Sequence, residues 1–180
     1  EDLGKICLDV AEKITQSKFG FLGDINHDRL TDIAISNPGW EACNISDPSG
    51  HGRQPAGIKI HGIYGRVILD GKSVFTNNPA SHPDSIGVPE DHPPLTSFLG
   101  VPLISEGDVI GLLAVGNRQG GYSPADQETL ETLAPSIVQA FKSKRAEDAL
   151  QALNADLEKR VEQRTFELQE AQQQYINEKK

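Results

Sequence analysis

FLGVPLISEGDVIGLLAVGNRQGGYSPADQETLETLA, residues 98–134, decides the fold. It opens on an apolar run, Phe98 to Ile104, and turns at Glu106-Gly107-Asp108. Val109 to Asn117 follows, apolar at positions of both parities, as a central strand covered on both faces must be. The two runs predict a hairpin. Ser123-Pro124-Ala125-Asp126 then predicts a helix start. Ser123 is the cap, Pro124 takes the first helical position where an N–H is not needed, and Asp126 is the acid of a capping box. Leu130, Leu133, Ala134, Ile137, Val138 and Phe141 share one face of that helix, and the pattern continues past Pro135.

Toward the N-terminus the periods alternate. Leu3, Ile6, Cys7, Val10, Ala11 and Ile14 recur at helical spacing, which predicts an amphipathic helix over 2–17 with Cys7 as a buried, inert thiol. Phe19, Phe21, Gly23 and Ile25 alternate with more polar positions. Asn26-His27-Asp28 turns the chain, and Thr31, Ile33 and Ile35 alternate again, so a second hairpin is predicted. Residues 37–57 are rich in Gly, Pro, Asn, Asp and Ser and hold Trp40 and Cys43. Ile58, Ile60, Ile63, Val67 and Ile68 predict a helix over 58–70 that stops at Gly71, with a short strand at 73–76. The connection 77–97 holds five prolines together with His82 and His92. A link of that length without regular structure is usually functional or disordered.

The C-terminal end is a different polymer. All 17 glycines and all 11 prolines precede residue 142. Residues 142–180 balance eight cations against eight anions, so residues 1–141 carry the whole net charge of −9. Leu150, Leu153 and Leu157 form one apolar seam; Val161, Leu168 and Tyr175 continue it after a four-residue step at Leu157–Val161. A polar helix with one apolar seam is expected to pair as a parallel two-stranded coiled coil, and the step is a stutter that relaxes the supercoil. The predicted division is 1–142 and 143–180.

Composition excludes several functions. At 180 residues and 19.5 kDa there is room for one domain and an appendage. No run approaches the ~20 apolar residues of a membrane span, and no secretory leader is evident. An acidic chain is a poor nonspecific nucleic-acid binder. Two cysteines build no disulfide framework and no structural zinc site, so a cytoplasmic setting is expected. No G-x-S-x-G, Walker loop or H-E-x-x-H occurs. A chain that begins at Glu1 and holds no Met is expected to be a piece of a longer protein.

The order helix, hairpin, variable middle, hairpin, long helix, with residues 98–134 as its specific part, resembles the GAF domain, a sensory relative of PAS. The resemblance covers about residues 3–142. It implies an α+β fold, an antiparallel sheet with flanking helices, and a small-molecule pocket between the sheet and residues 37–97. Its expected walls are Phe21, Ile33, Ile35, Trp40, Cys43, Val67, His82, His92, Phe98 and Leu113. LEKRVEQRTFELQEAQQQYINEKK, residues 157–180, resembles the linker before the dimerisation and phosphotransfer helices of sensor histidine kinases. A kinase domain in cis is thereby implied, with a homodimer formed through the N- and C-terminal helices.

The resemblance implies a sensor rather than an enzyme. Free methionine sulfoxide reductases of the GAF kind rely on several cysteines, whereas this chain has two. Bilin attachment would fall to Cys43, without the motif that phytochromes add. Cyclic-nucleotide binders carry an Asn-Lys-x-Phe-Asp motif where this chain has Asn117-Arg118-Gln119-Gly120-Gly121-Tyr122. The ligand is left open: an unidentified metabolite, haem held by Cys43, His82 or His92 in a redox or gas sensor, or no ligand at all and only dimerisation and signal relay. The alternative outputs are a diguanylate cyclase or a transcription regulator.

Overall fold

The computed structural model describes residues 3–36, 57–87 and 94–178. Helix α1 (Leu3–Thr15) leads into the hairpin of β1 (Phe19–Asn26) and β2 (Arg29–Ile35), which turns at His27-Asp28 with His27 at φ +59°. After β3 (Ile58–Lys59) come α2 (Gly62–Asp70), β4 (Val74–Thr76) and a single 3-10 turn at Pro79–Ser81. The second hairpin is β5 (Phe98–Ser105) and β6 (Asp108–Gly116), and α3 runs from Pro124 to Glu178. The chain divides into two compact units, Glu1–Ala140 and Phe141–Lys180.

The first unit is built on one antiparallel sheet in the order β3-β2-β1-β6-β5-β4. β6 is central and pairs with both β1 and β5. Leu22, Leu113 and Val101 stand in register across the three strands, and so do Phe21, Ala114 and Gly100 on the opposite face. Helix α1 covers the Leu22 side. A Cβ placed on Gly20, two residues from Leu22, would lie 2.7 Å from Leu8 Cδ1, so the glycine leaves room for this leucine against the strand. Helix α2 covers the other side, where Ile63, Val67 and Ile68 meet Leu30, Phe98, Leu112 and Ala114. This α+β architecture is the one the sequence predicts.

Three local expectations change. Helix α2 begins at Gly62, not Ile58. Gly57 and Gly62 both take φ of +68°, and between them Ile58 and Lys59 pair with Leu30 and Arg29 as a sheet edge. The apolar residues of β3 and α2 fuse into one pattern only in the sequence. Helix α1 buries Gly4, Leu8, Ala11 and Thr15, whereas Ile6, Val10 and Ile14 are 40–44% exposed. Leu8 and Ala11 are the apolar residues that face the sheet, and the Ile6, Val10 and Ile14 stripe faces away from it. Cys7 consequently sits half-buried at the edge of the exposed stripe rather than in the core, and burial still raises its thiol pKa.

The start of α3 follows the capping-box prediction. Asp126 Oδ2 accepts the Ser123 backbone N–H at 2.8 Å and the Ser123 hydroxyl at 2.6 Å. Burial opposes ionisation of Asp126, but these bonds and the nearby Arg118 outweigh it and hold the carboxyl below its usual range. Leu130, Ala134, Ile137 and Val138 of α3 are buried.

The second unit is helix. Leu150, Leu153, Leu157, Val161 and Leu168 are each 48–71% exposed, and Tyr175 is exposed as well. Ion pairs support its polar surface, among them Lys144–Asp148 at 2.9 Å and Arg160–Asp156 at 2.8 Å. Such pairs each add only about 0.3–0.5 kcal/mol.

The tightest backbone approach in the sheet yields a test. A Cβ on Gly111 would lie 2.5 Å from the Gly23 carbonyl oxygen, between β6 and β1. Gly111→Ala should cost about 2 kcal/mol, read as a melting temperature lower by roughly 5 °C. An unchanged melting curve would contradict this register.

Candidate functional site

The face of the sheet under α2 is the candidate site. Phe21, Val67 and Phe98, chosen from the sequence, belong to one apolar cluster there, with Leu30, Leu112, Tyr64 and Leu95 around them. A Cβ on Gly100 would lie 2.8 Å from the Phe98 ring and 3.1 Å from Val67, so this glycine makes room for both. Ile35 pairs with Phe21 and shares its face. Ile33 is the extra residue where the β1–β2 register shifts, between Ala34 opposite Leu22 and Asp32 opposite Gly23.

Leu113 is misplaced by the sequence reading. It is in register with Leu22 and Val101, on the α1 side of the sheet, and is fully buried there. Its neighbours Leu112 and Ala114 take the places expected of it. His82 stands outside the apolar cluster. Its Nδ1 accepts the Asp84 backbone N–H at 3.2 Å, which puts the neutral ring's proton on Nε2. Asp84 in turn pairs with Arg66 at 3.5 Å, on the exposed side of α2. Trp40, Cys43 and His92 lie outside the described residues. Among the described residues no three His, Cys, Asp or Glu side chains cluster as a metal site.

A separate open cleft of about 510 Å³ lies beside β5, beyond the short β4 that pairs only with Phe98–Gly100. Val101, Pro102 and Ile104 form one side, Gly71 to Ser73 another, and Gln127, Glu131 and Pro135 of α3 the third.

Three polar residues escaped the sequence reading. Asn77 and Asn117 bracket the connection between β4 and β5, where the Gly120-Gly121 pair was the available signal. Glu12 lies on α1 beside Gly20, and nothing in its periodicity marks it. Its Oε1 is buried without a hydrogen-bond partner. Burial pushes the carboxyl up to about 7; a hydrogen bond from Ser36 opposes the shift and the charge of Asp9 adds to it.

Comparison with known proteins gives a consistent picture. The GAF domain family matches residues 1–142. The GAF domain of a phosphoenolpyruvate-protein phosphotransferase from Coxiella burnetii superposes with a TM-score of 0.65 at 18% identity, over 83% of this chain and 88% of that one. A free methionine-R-sulfoxide reductase from Neisseria meningitidis, solved with its substrate, gives 0.60 at 20% identity, over 81% of each chain. A domain of a putative two-component sensor histidine kinase from Sinorhizobium meliloti gives 0.56 at 15% identity, over 82% of this chain and 93% of that one. These similarities concern the fold.

Glu12 sets a pH dependence. Its folded pKa of about 7 exceeds the ordinary 4.5, so the folded chain holds its proton where the unfolded chain has released it. The contribution to stability therefore falls as pH rises from about 4.5 to 7 and stays low above that. Glu12→Gln should melt higher than the parent at about pH 8, with the gap closing toward about pH 5. A gap independent of pH would contradict the burial of this carboxyl.

Proposed function

The chain belongs to the GAF domain family, whose members are sensory domains that bind small molecules, and on that footing we propose that it is the dimerising sensor module of a histidine kinase. It senses a small molecule on the α2 face of the sheet and relays the state of that face through the tail of α3. The observation that carries this reading is the tail itself. Leu150, Leu153, Leu157, Val161 and Leu168 expose one apolar seam on a helix free of Gly and Pro beyond residue 135. At about 25 cal/mol per Å², a seam of this kind is stable in water only when covered. A second copy in parallel covers it with the same residues, in the geometry of a two-stranded coiled coil. The exposed stripe of α1, Ile6, Val10 and Ile14, offers the same copy a second contact.

Resemblance of residues 157–180 to a kinase linker supports the output, and a sensor-kinase domain among the similar folds agrees with it. The mechanism is a population shift: a ligand that prefers one packing of the α2 face biases the helices on the other. Coiled-coil partners then choose between discrete alternatives at the stutter. The setting is cytoplasmic, in keeping with the lack, among the described residues, of a helix long and apolar enough to cross a membrane.

Catalysis within this chain has less support. A reductase shares the fold, but a thiol nucleophile needs a low pKa. Cys7 is half-buried with its pKa raised.

Light scattering at tens of micromolar tests the dimer. The parent should give twice the chain mass. Leu157→Asp with Leu168→Asp should give the monomer mass, because each places a charge in the seam. A monomeric parent overturns the proposal.

A further inference from the structure

The connection between β4 and β5 leaves the sheet at Asn77 and returns at Ser97, and one loop holds both of its ends. The Asn77 side chain donates from Nδ2 to the Tyr122 carbonyl at 2.9 Å and accepts the Tyr122 N–H on Oδ1 at 2.7 Å, as a neighbouring strand would. At the other end, Asn117 Oδ1 accepts the Thr96 N–H at 2.8 Å, and Nδ2 donates to the Pro94 carbonyl at 2.7 Å. The Asn117 backbone N–H also donates to Ser97 at 2.9 Å. Thus residues 117–122 hold residue 77 with one hand and residues 94–97 with the other.

The same loop meets two helices. Arg118 Nη1 donates to the Gly121 carbonyl at 2.7 Å, while Arg118 Nε stands 3.5 Å from Asp126 in the first turn of α3. The Tyr122 hydroxyl, 2.7 Å from Ser17 Oγ, joins a chain that passes to Thr15 Oγ1 at 2.7 Å and ends on the Ala11 carbonyl at 2.6 Å. That chain ends in the last turn of α1. Gly121 makes the junction possible: it takes φ +81°, and a Cβ there would lie 2.5 Å from Asn77 Oδ1.

We propose that residues 117–122 are a latch, so that both ends of the β4–β5 connection and the first turn of α3 open and close as one cooperative unit. Removing either asparagine leaves backbone groups without their partner, and the loss is shared because every group hangs on the same short loop. On the sensor reading above, and only there, this unit is where a change in the connection reaches the output helix.

Residue-resolved amide hydrogen exchange on the full chain tests it. In Asn77→Ala the amides of Thr96, Ser97, Asp126 and Gln127, none of them bonded to Asn77, should exchange about tenfold faster, the equivalent of one lost hydrogen bond. Amides of Leu22 and Ala34 in the first hairpin should not change. Gly121→Ala, which enters the junction from the other side, should speed the same set, and Asn77→Asp serves if the alanine variant does not fold. Faster exchange confined to Tyr122 and its immediate neighbours would overturn the proposal. The readout lies within residues 1–140, so a monomeric tail would defeat the sensor reading and leave this pattern untouched.

Discussion

Leu112 and Leu113 are consecutive residues of one strand, and both are fully buried. A strand in that position cannot have a wet face. The sheet must be covered on both sides, and the two covers differ. On one side Leu8 of α1 packs over Gly20, whose missing side chain leaves it room. On the other, aromatic and branched side chains from α2, β1 and β5 gather in a cluster.

The double burial of β6 also explains what the sequence could tell. Hairpins were legible because β1 and β2 alternate, and the start of α3 because Ser123 and Asp126 carry explicit capping chemistry. Which face Leu113 occupies was not legible. VIGLLAV is apolar at every parity, so its period contains no information about direction, and only pairing with Leu22 and Val101 supplies it. Strand β3 was hidden for a related reason: two residues are too few to show a period, and Ile58 and Ile60 fit the helical spacing of the segment that follows.

Helix α1 teaches the converse lesson. Its stripe of Ile6, Val10 and Ile14 is exposed, while Gly4, Leu8, Ala11 and Thr15 are the buried positions. Read by hydropathy, Cys7 belongs to the core; by geometry it borders a surface. The grouping of the candidate residues was legible in part. Phe21, Val67 and Phe98 meet because their strands and helix bring them together, while His82 is held by Asp84 on the outside of α2. Asn77 and Asn117 were beyond sequence reading, since their partners are backbone groups tens of residues away.

The central claim is that two chains lie side by side in parallel, with their tails in contact along the seam. Dipolar electron–electron distances measure this directly. In a chain with Cys7→Ser and Cys43→Ser, a spin label is placed at Gln151→Cys in one sample and at Gln169→Cys in another, each one residue beyond a leucine of the seam. A parallel pair predicts short and similar distances at both positions. A distance that is short at one position and long at the other, or no coupling at either, would contradict the account.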